Sequence, residues 1–523
     1  MHRLILALCL AAGLQAAIQP SAHASPGLPS TNIAWQPAGT DADITRAFTR
    51  ARAERKPVLL YWGATWCPPC NQLKATLFNR QDFAVLARSF VAVSVDGDRP
   101  GAQKLGQRFN VRGYPTTVLF SPEGAEITRL PGEVDAPQAL AVLQLGLAGG
   151  RPIKAVFDDA MSDKPLPAGD WRLLAFYAWD TDEQQLLPKA DLPAALVQLA
   201  VKCPAAETES ATRLWLKALA ASDDGKGVKP DAALRERVLR VLADPVQSRL
   251  MMDVLTNSAG EIVRALDSDA AAPGTPLVAA FEAALVRLQA DATLSRADRL
   301  GALVARVELA RLGTPKDAVQ VSLPTPLLRD LRETVARDDR EISDGYERQA
   351  VITEAAYALG QAGLWAESDA LLKANLARSH SPYYLMSELA ANARKLGRKD
   401  EALGWYAQAW DKSVGPATRL QWGSSYLAAL VELAPQDAAR IEQTATRLFA
   451  EAGRDPAAFE GRSARSLQRA GARLQSWGRD GGHAAALRRL QAHVDGLCAK
   501  VGRADANRPA CLALLKPQAK KAA

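Results

Sequence analysis

The order of residue types predicts an α/β domain at the front of the chain and an all-α helical array behind it. Three observations carry that reading. A strand-like apolar run feeds a CxxC pair and a helix within residues 58–74; strand and helix patterns then alternate to about residue 148; and beyond residue 169 helix follows helix with few β-branched runs. At 523 residues and 48% hydrophobic content the chain is not mainly disordered, and it can bury several cores. The net charge of +7 is mild, and the basic residues are interleaved with acidic ones, as in Arg235-Glu236-Arg237. Such interleaving marks solvated helix faces, so no nucleic-acid partner is expected.

Residues 1–24 read as a secretory signal: His2-Arg3, an uncharged apolar core from Leu4 through Ala17, and Ala22-His23-Ala24 as a small-x-small cleavage site. A membrane anchor is the rival reading, but the apolar run is shorter than a span. Cys9 follows Leu8, where a lipoprotein signal needs a small residue. Export to a bacterial periplasm is the expectation.

The α/β domain is taken as residues 33–148. Val58-Leu59-Leu60-Tyr61-Trp62 is its first clear strand, and Trp66-Cys67-Pro68-Pro69-Cys70 leads into a helix at Asn71-Gln72-Leu73-Lys74. Two residues between the cysteines allow their sulfurs to bond reversibly, and a helix N-terminus favours a negative sulfur on the first. Half a zinc site is the competing chemistry, yet the chain holds no second CxxC, CxxH or HxxxH. A strand follows at Phe90–Val95, then a helix at about Ala102–Phe109 and a strand at Val118–Phe120. A Pro122-Glu123-Gly124 turn joins this to Ile127–Leu130, and Leu140, Leu143 and Leu147 mark a closing helix.

From about Ile33 to Leu147 this order resembles the thioredoxin superfamily. Gly113-Tyr114-Pro115-Thr116 matches the family's Gly-x-Pro-Thr signature, with Pro115 at the position of its cis-proline; a non-prolyl cis bond there would be costly. The run Thr76–Asn79 is closer to the domain ending membrane-bound periplasmic electron transporters than to cytosolic thioredoxin. Cys67, at the exposed start of the helix, is the expected nucleophile, Cys70 the more buried resolving thiol, and Pro115 the third catalytic position. Trp66, Pro68, Pro69, Tyr114 and Thr116 are the residues expected to meet substrate, Trp66 as an apolar lip. The resemblance implies that the Tyr114-Pro115 backbone holds substrate chain by strand-like hydrogen bonds. No cofactor or metal is expected.

Two departures bear on direction. Pro68 and Pro69 have no N–H to offer the Cys67 sulfur, and the motif holds no histidine. Both favour a reducing couple. Many family members carry a buried Asp six residues before the first cysteine; here that position is Tyr61, a poor base at neutral pH. Of the histidines after residue 24, His380, His483 and His493, none is near the motif in sequence, which disfavours a cysteine–histidine hydrolase.

Residues 149–169, with Gly149-Gly150-Arg151-Pro152 and Lys164-Pro165-Leu166-Pro167, read as a linker or an irregular bridge. A helical domain is expected over 170–345, with apolar faces such as Leu234, Val238, Val241 and Leu242, or Phe281, Leu285 and Leu288. Within 346–512, Ala356–Pro382 aligns with Ala390–Pro416 at a 34-residue offset, matching Gly363 to Gly397 and Glu367 to Glu401. This resembles the tetratricopeptide repeat (TPR), whose units bury their apolar faces on neighbours. Cys498 and Cys511, 13 positions apart, suit a structural disulfide worth about 3 kcal/mol. Cys203 reads as a buried free thiol. Residues 513–523 are expected to form a disordered basic tail.

The function expected is an exported thiol:disulfide oxidoreductase acting on disulfide-containing envelope proteins and re-reduced by a membrane electron donor. Its array would select a protein partner or shield the site. Two alternatives stay open: a partner-recruiting binding protein with a thioredoxin-like adaptor, or a thiol reductant dedicated to cytochrome c maturation.

Overall fold

The computed structural model describes residues 33–516 apart from 133, 183–184, 223–226, 268–273, 316, 456, 480–481 and 503–504. The secretory signal expected at 1–24 and residues 517–523 of the expected tail lie outside the described residues.

Five strands form one mixed sheet: β1 (Gln36–Ala38), β2 (Val58–Gly63), β3 (Val91–Asp96), β4 (Thr116–Phe120) and β5 (Glu126–Leu130), in the order β1-β3-β2-β4-β5. β1 and β2 run parallel to β3, while β4 is antiparallel to both β2 and β5. β2 is buried along its whole length because both its faces are covered. Val58, Leu60 and Trp62 pack with Ile44, Ala47, Phe48 and Ala51 of α1 (Asp41–Glu54), whereas Leu59 and Tyr61 face the opposite core. That second core includes Leu73 of α2 (Pro68–Thr76), Phe83 of α3 (Gln81–Leu86), and Leu140 and Leu143 of α5 (Ala136–Leu147). α4 (Ala102–Arg108) lies on the α1 side through Leu105.

The second core does not end with the α/β domain. It continues through α6 (Ile153–Met161) into the helical region as far as Leu309. The stretch 149–169 is therefore not a linker. Gly and Pro at its two ends bracket a helix whose Ile153, Val156, Phe157 and Ala160 recur at helical spacing and are buried. The free edge of β5 is covered too, where Ala178 N–H donates to Arg129 O (3.0 Å).

Among the described residues beyond α6 all regular structure is helical. The predicted faces are buried in the helices Ala232–Ala243 and Pro276–Ala290. Gly363 and Gly397 occupy matching turns, after the helices Gly345–Gln361 and Pro382–Lys395, and both have left-handed φ, 77° and 72°. Residues 513–516 depart from the expected tail: Leu514 and Leu515 are buried, and Gln475 Nε2–H donates to Leu515 O. Among the described residues no helix is long and apolar enough to cross a membrane.

Candidate functional site

Cys67 is the N-cap of α2 and is joined to Cys70 by a disulfide. Pro68 and Pro69 fill the first two helical positions, where a missing N–H costs nothing, so Cys70 supplies the backbone N–H that donates to Cys67 Sγ (3.2 Å). Asn71 braces the loop from below, its Nδ2 donating to Cys67 O (2.7 Å) and Thr65 O (2.9 Å). The Tyr114–Pro115 peptide is cis, and Tyr114 packs on the cysteine pair with Ala64 and Trp66. Thr116 is buried at the start of β4 and its hydroxyl donates to Gly113 O (3.0 Å), so that group is engaged within its own loop.

One expectation is overturned here. Cys67 lies at the start of its helix but is not exposed: it is 2% accessible, against 0% for Cys70. The helical region lies over it. Trp66, the predicted lip, stacks on Tyr384 (centroids 5.7 Å, 16°) and meets Trp422 edge-on at 5.1 Å. Its indole Nε1–H donates to Thr418 Oγ1 (2.7 Å) and Asp98 Oδ2 (3.1 Å). The guanidinium of Arg462 lies over both Trp66 (5.1 Å) and Tyr114 (5.0 Å). Gln349 Nε2–H donates to Trp66 O (3.4 Å), and His380 Nε2–H to Thr65 O (3.1 Å). Burial lowers the His380 pKa, which favours neutral imidazole beside this loop.

Sequence reasoning missed Asp98, His380, Tyr384, Thr418, Trp422 and Arg462. Asp98 sits in a Gly/Pro-flanked turn that reads as local geometry, and the others lie hundreds of residues downstream of the motif. No local pattern ties them to it.

Tyr61 is buried, its hydroxyl lacks a partner, and burial, with Asp96 adding to it, pushes its pKa up. It is no base for Cys70. With Thr65, Lys74 and Asp96 it lines a cavity of about 160 Å³. Burial raises the Asp96 carboxyl and lowers the Lys74 ammonium, bringing each nearer its neutral form. Glu126 is remote from the pair, bound to Arg129 (3.1 Å). Cys498 and Cys511 are disulfide-bonded in the C-terminal core. Cys203 is free and buried, and burial pushes its thiol up to about 11. Among the described residues no cluster of three or more His, Cys, Asp or Glu could hold a metal ion.

A mixed five-stranded sheet, a CxxC disulfide capping a helix and an adjacent cis-proline define a thioredoxin-superfamily domain at the front of this chain. The family described as a thioredoxin-like domain matches residues 44–146. The thiol:disulfide interchange protein DsbD 1 of Pseudomonas aeruginosa is 36% identical over 123 residues, 22% of this chain and 20% of that protein. DsbD 2 of the same organism is 32% identical over 116 residues, 21% of this chain and 20% of the relative. DsbD of Yersinia pestis is 34% identical over 98 residues, 18% of this chain and 16% of the relative. The match thus spans at most about a fifth of the length of these curated relatives. A solved structure titled DsbH Oxidoreductase overlaps 25% of this chain and 94% of its own, with 17% identity and a TM-score of 0.20.

Proposed function

We propose that the chain is an exported thiol:disulfide oxidoreductase that reduces or exchanges disulfides of envelope proteins through Cys67 and Cys70. The observation that carries this reading is the Cys67–Cys70 disulfide capping α2 with Tyr114 of the cis peptide packed against it. In the reducing direction, Cys67 thiolate attacks a substrate disulfide, forming a mixed disulfide and expelling one substrate thiolate. Cys70 thiolate then attacks Cys67 Sγ, releasing the second substrate thiol and closing Cys67–Cys70. Two electrons have passed to substrate, and the pair needs a dithiol donor, proposed to be membrane-bound, to return them. Trp66, Pro68 and Pro69 would border the incoming sulfur, and the Tyr114-Pro115-Thr116 backbone would align the substrate chain.

The reducing direction is supported by the poor set of donors at Cys67, since two prolines leave Cys70 N–H as its neighbour within the motif. Dedicated reduction for cytochrome c maturation is a narrower version of the same chemistry. The adaptor reading draws on a separate observation, the burial of Cys67 beneath the helical region. Insulin reduction by the whole protein carrying Arg462→Gln, which removes the guanidinium over Trp66, compared with the same chain also carrying Cys67→Ser, separates them: loss of turnover on removing Cys67 supports the oxidoreductase, and equal rates leave the adaptor.

A further inference from the structure

Asp98 is one point at which the helical region grips the thioredoxin-like domain, and it holds Trp66, the residue before Cys67. One carboxylate collects four donors. Oδ1 accepts from Thr418 N–H (2.8 Å) and Arg462 Nη2 (2.8 Å); Oδ2 accepts from Thr418 Oγ1–H (2.6 Å) and Trp66 Nε1–H (3.1 Å). Thr418 N is an otherwise unpaired donor in the first turn of the helix Pro416–Leu433, so Asp98 caps a helix some 320 residues away. A second helix, Gly461–Trp477, presents its first turn to the same domain, where Arg462 N–H donates to Gln103 Oε1 (2.7 Å). Both approaches depend on glycine. A Cβ on Gly415 would stand 2.5 Å from Asp98 Cβ, one on Gly461 2.8 Å from Gln103 O, and both residues have positive φ.

The placement of this grip conflicts with turnover in the closed form. An attacking or attacked sulfur must be approached along the S–S axis from outside, but Cys67 is buried, and Trp66, which packs on the cysteine pair, is itself held by Tyr384, Trp422 and Arg462. The contacts that hold it shut are of two kinds, the hydrogen bonds gathered at Asp98 and the packing of Trp66 with Tyr384 and Trp422 against the C-terminal core, which is a different core from the one that joins the domain to α6.

From this we infer that the helical region is an autoinhibitory latch, in which Asp98, Thr418 and Arg462 hold Cys67 closed to protein disulfides until the contact opens. The inference rests on the oxidoreductase reading of Cys67, but it is tested by access rather than by turnover. Full-length protein is reduced, and alkylation of Cys67 is followed at the peptide level with iodoacetamide, in the wild type, Arg462→Gln and Thr418→Val. The second variant keeps the β-branched shape while deleting the hydroxyl shared by Asp98, Trp66 and Arg462, so it guards against a merely misfolded result. Both variants should be alkylated about tenfold faster than wild type, the size of effect that loss of a hydrogen bond to a charged group has on a closed–open equilibrium. Two results overturn the latch: unchanged rates in both variants, or a wild-type rate equal to that of the urea-unfolded chain. Insulin reduction by the same variants judges the oxidoreductase reading separately. Faster alkylation without insulin turnover would keep the latch and remove the enzyme.

Discussion

The ring of Tyr384 lies stacked on that of Trp66, 5.7 Å between centroids and 16° between planes, although 318 positions separate them in sequence. The residue next to the candidate nucleophile is thus packed by a helix from the far half of the chain, Pro382–Lys395. A stacked aromatic pair contributes about 0.5–1.5 kcal/mol beyond its buried area. A double-mutant cycle on Trp66→Ala and Tyr384→Ala should therefore return a coupling of about 1 kcal/mol in urea denaturation. Strictly additive losses would mean that the rings do not touch in solution.

Pro115, next in sequence to Tyr114, offers a second test. Its ring lies near Gly132, and its neighbour Tyr114 packs on the cysteine pair. In a Pro115→Thr chain a β-branched side chain would crowd the position through which the resolving thiolate reaches a mixed disulfide. Complexes between Cys67 and envelope proteins should accumulate and be released more slowly, visible on non-reducing gels followed over time. Release at the wild-type rate would take Pro115 out of the site. Cys70→Ser should trap the same complexes outright, because nothing then attacks the mixed disulfide.

What the residues revealed in advance follows the range of the physics involved. β2 and β3 were legible because Val58–Trp62 and Phe90–Val95 are unbroken apolar runs, and the CxxC helix because proline and cysteine fix its start. β1 was not, since Gln36–Ala38 is short and has no apolar run; it is a strand only because β3 lies beside it. α6 was hidden by the Gly and Pro that flank it, although Ile153, Val156, Phe157 and Ala160 carry the helical period. The burial of Cys67 was beyond reach altogether. It depends on Asp98 meeting Thr418 and Arg462, contacts spanning 320 and 364 positions that no local pattern encodes. The 34-residue offset placed Gly363 and Gly397 at equivalent turns, and Pro382 and Pro416 at equivalent helix starts.

His380 should make the clasp around the CxxC loop sensitive to acid. Its Nε2–H donates to Thr65 O, and Lys74 and Asp344 are the charges felt there. Burial is the largest influence and lowers the pKa in the folded chain below the usual 6.5. The unfolded chain therefore binds a proton first as the pH falls. The stabilising contribution is present above about pH 6.5 and is lost as acidification proceeds through the folded value. Thermal unfolding midpoints should fall between pH 7 and 5 more steeply for wild type than for His380→Gln, whose neutral amide can still donate to Thr65 O. Parallel profiles would exclude His380 as the source.

The two disulfides should separate by what covers them rather than by how deeply they lie. Cys67 and Cys70 are as inaccessible as Cys498 and Cys511, so static burial predicts no difference. Around Cys498–Cys511 the cover is Leu490, Val494, Leu514 and Leu515, part of a continuous apolar core that can be opened only by unfolding the C-terminal helices. Over Cys67 the cover is the Asp98 hydrogen bonds and the ring of Trp66, which lies on the edge of the C-terminal core rather than inside it, and on the latch reading this edge parts while both regions remain folded. Dithiothreitol added to native protein should therefore reduce Cys67–Cys70 first, with Cys498–Cys511 persisting until denaturant is added, as mapped by differential alkylation and peptide mass. Replacing Cys498 and Cys511 together by Ala should cost about 3 kcal/mol of stability, the scale expected for a loop of this length. Reduction of both bonds in one step, in native buffer, would show that the cover over Cys67 opens no more readily than the C-terminal core.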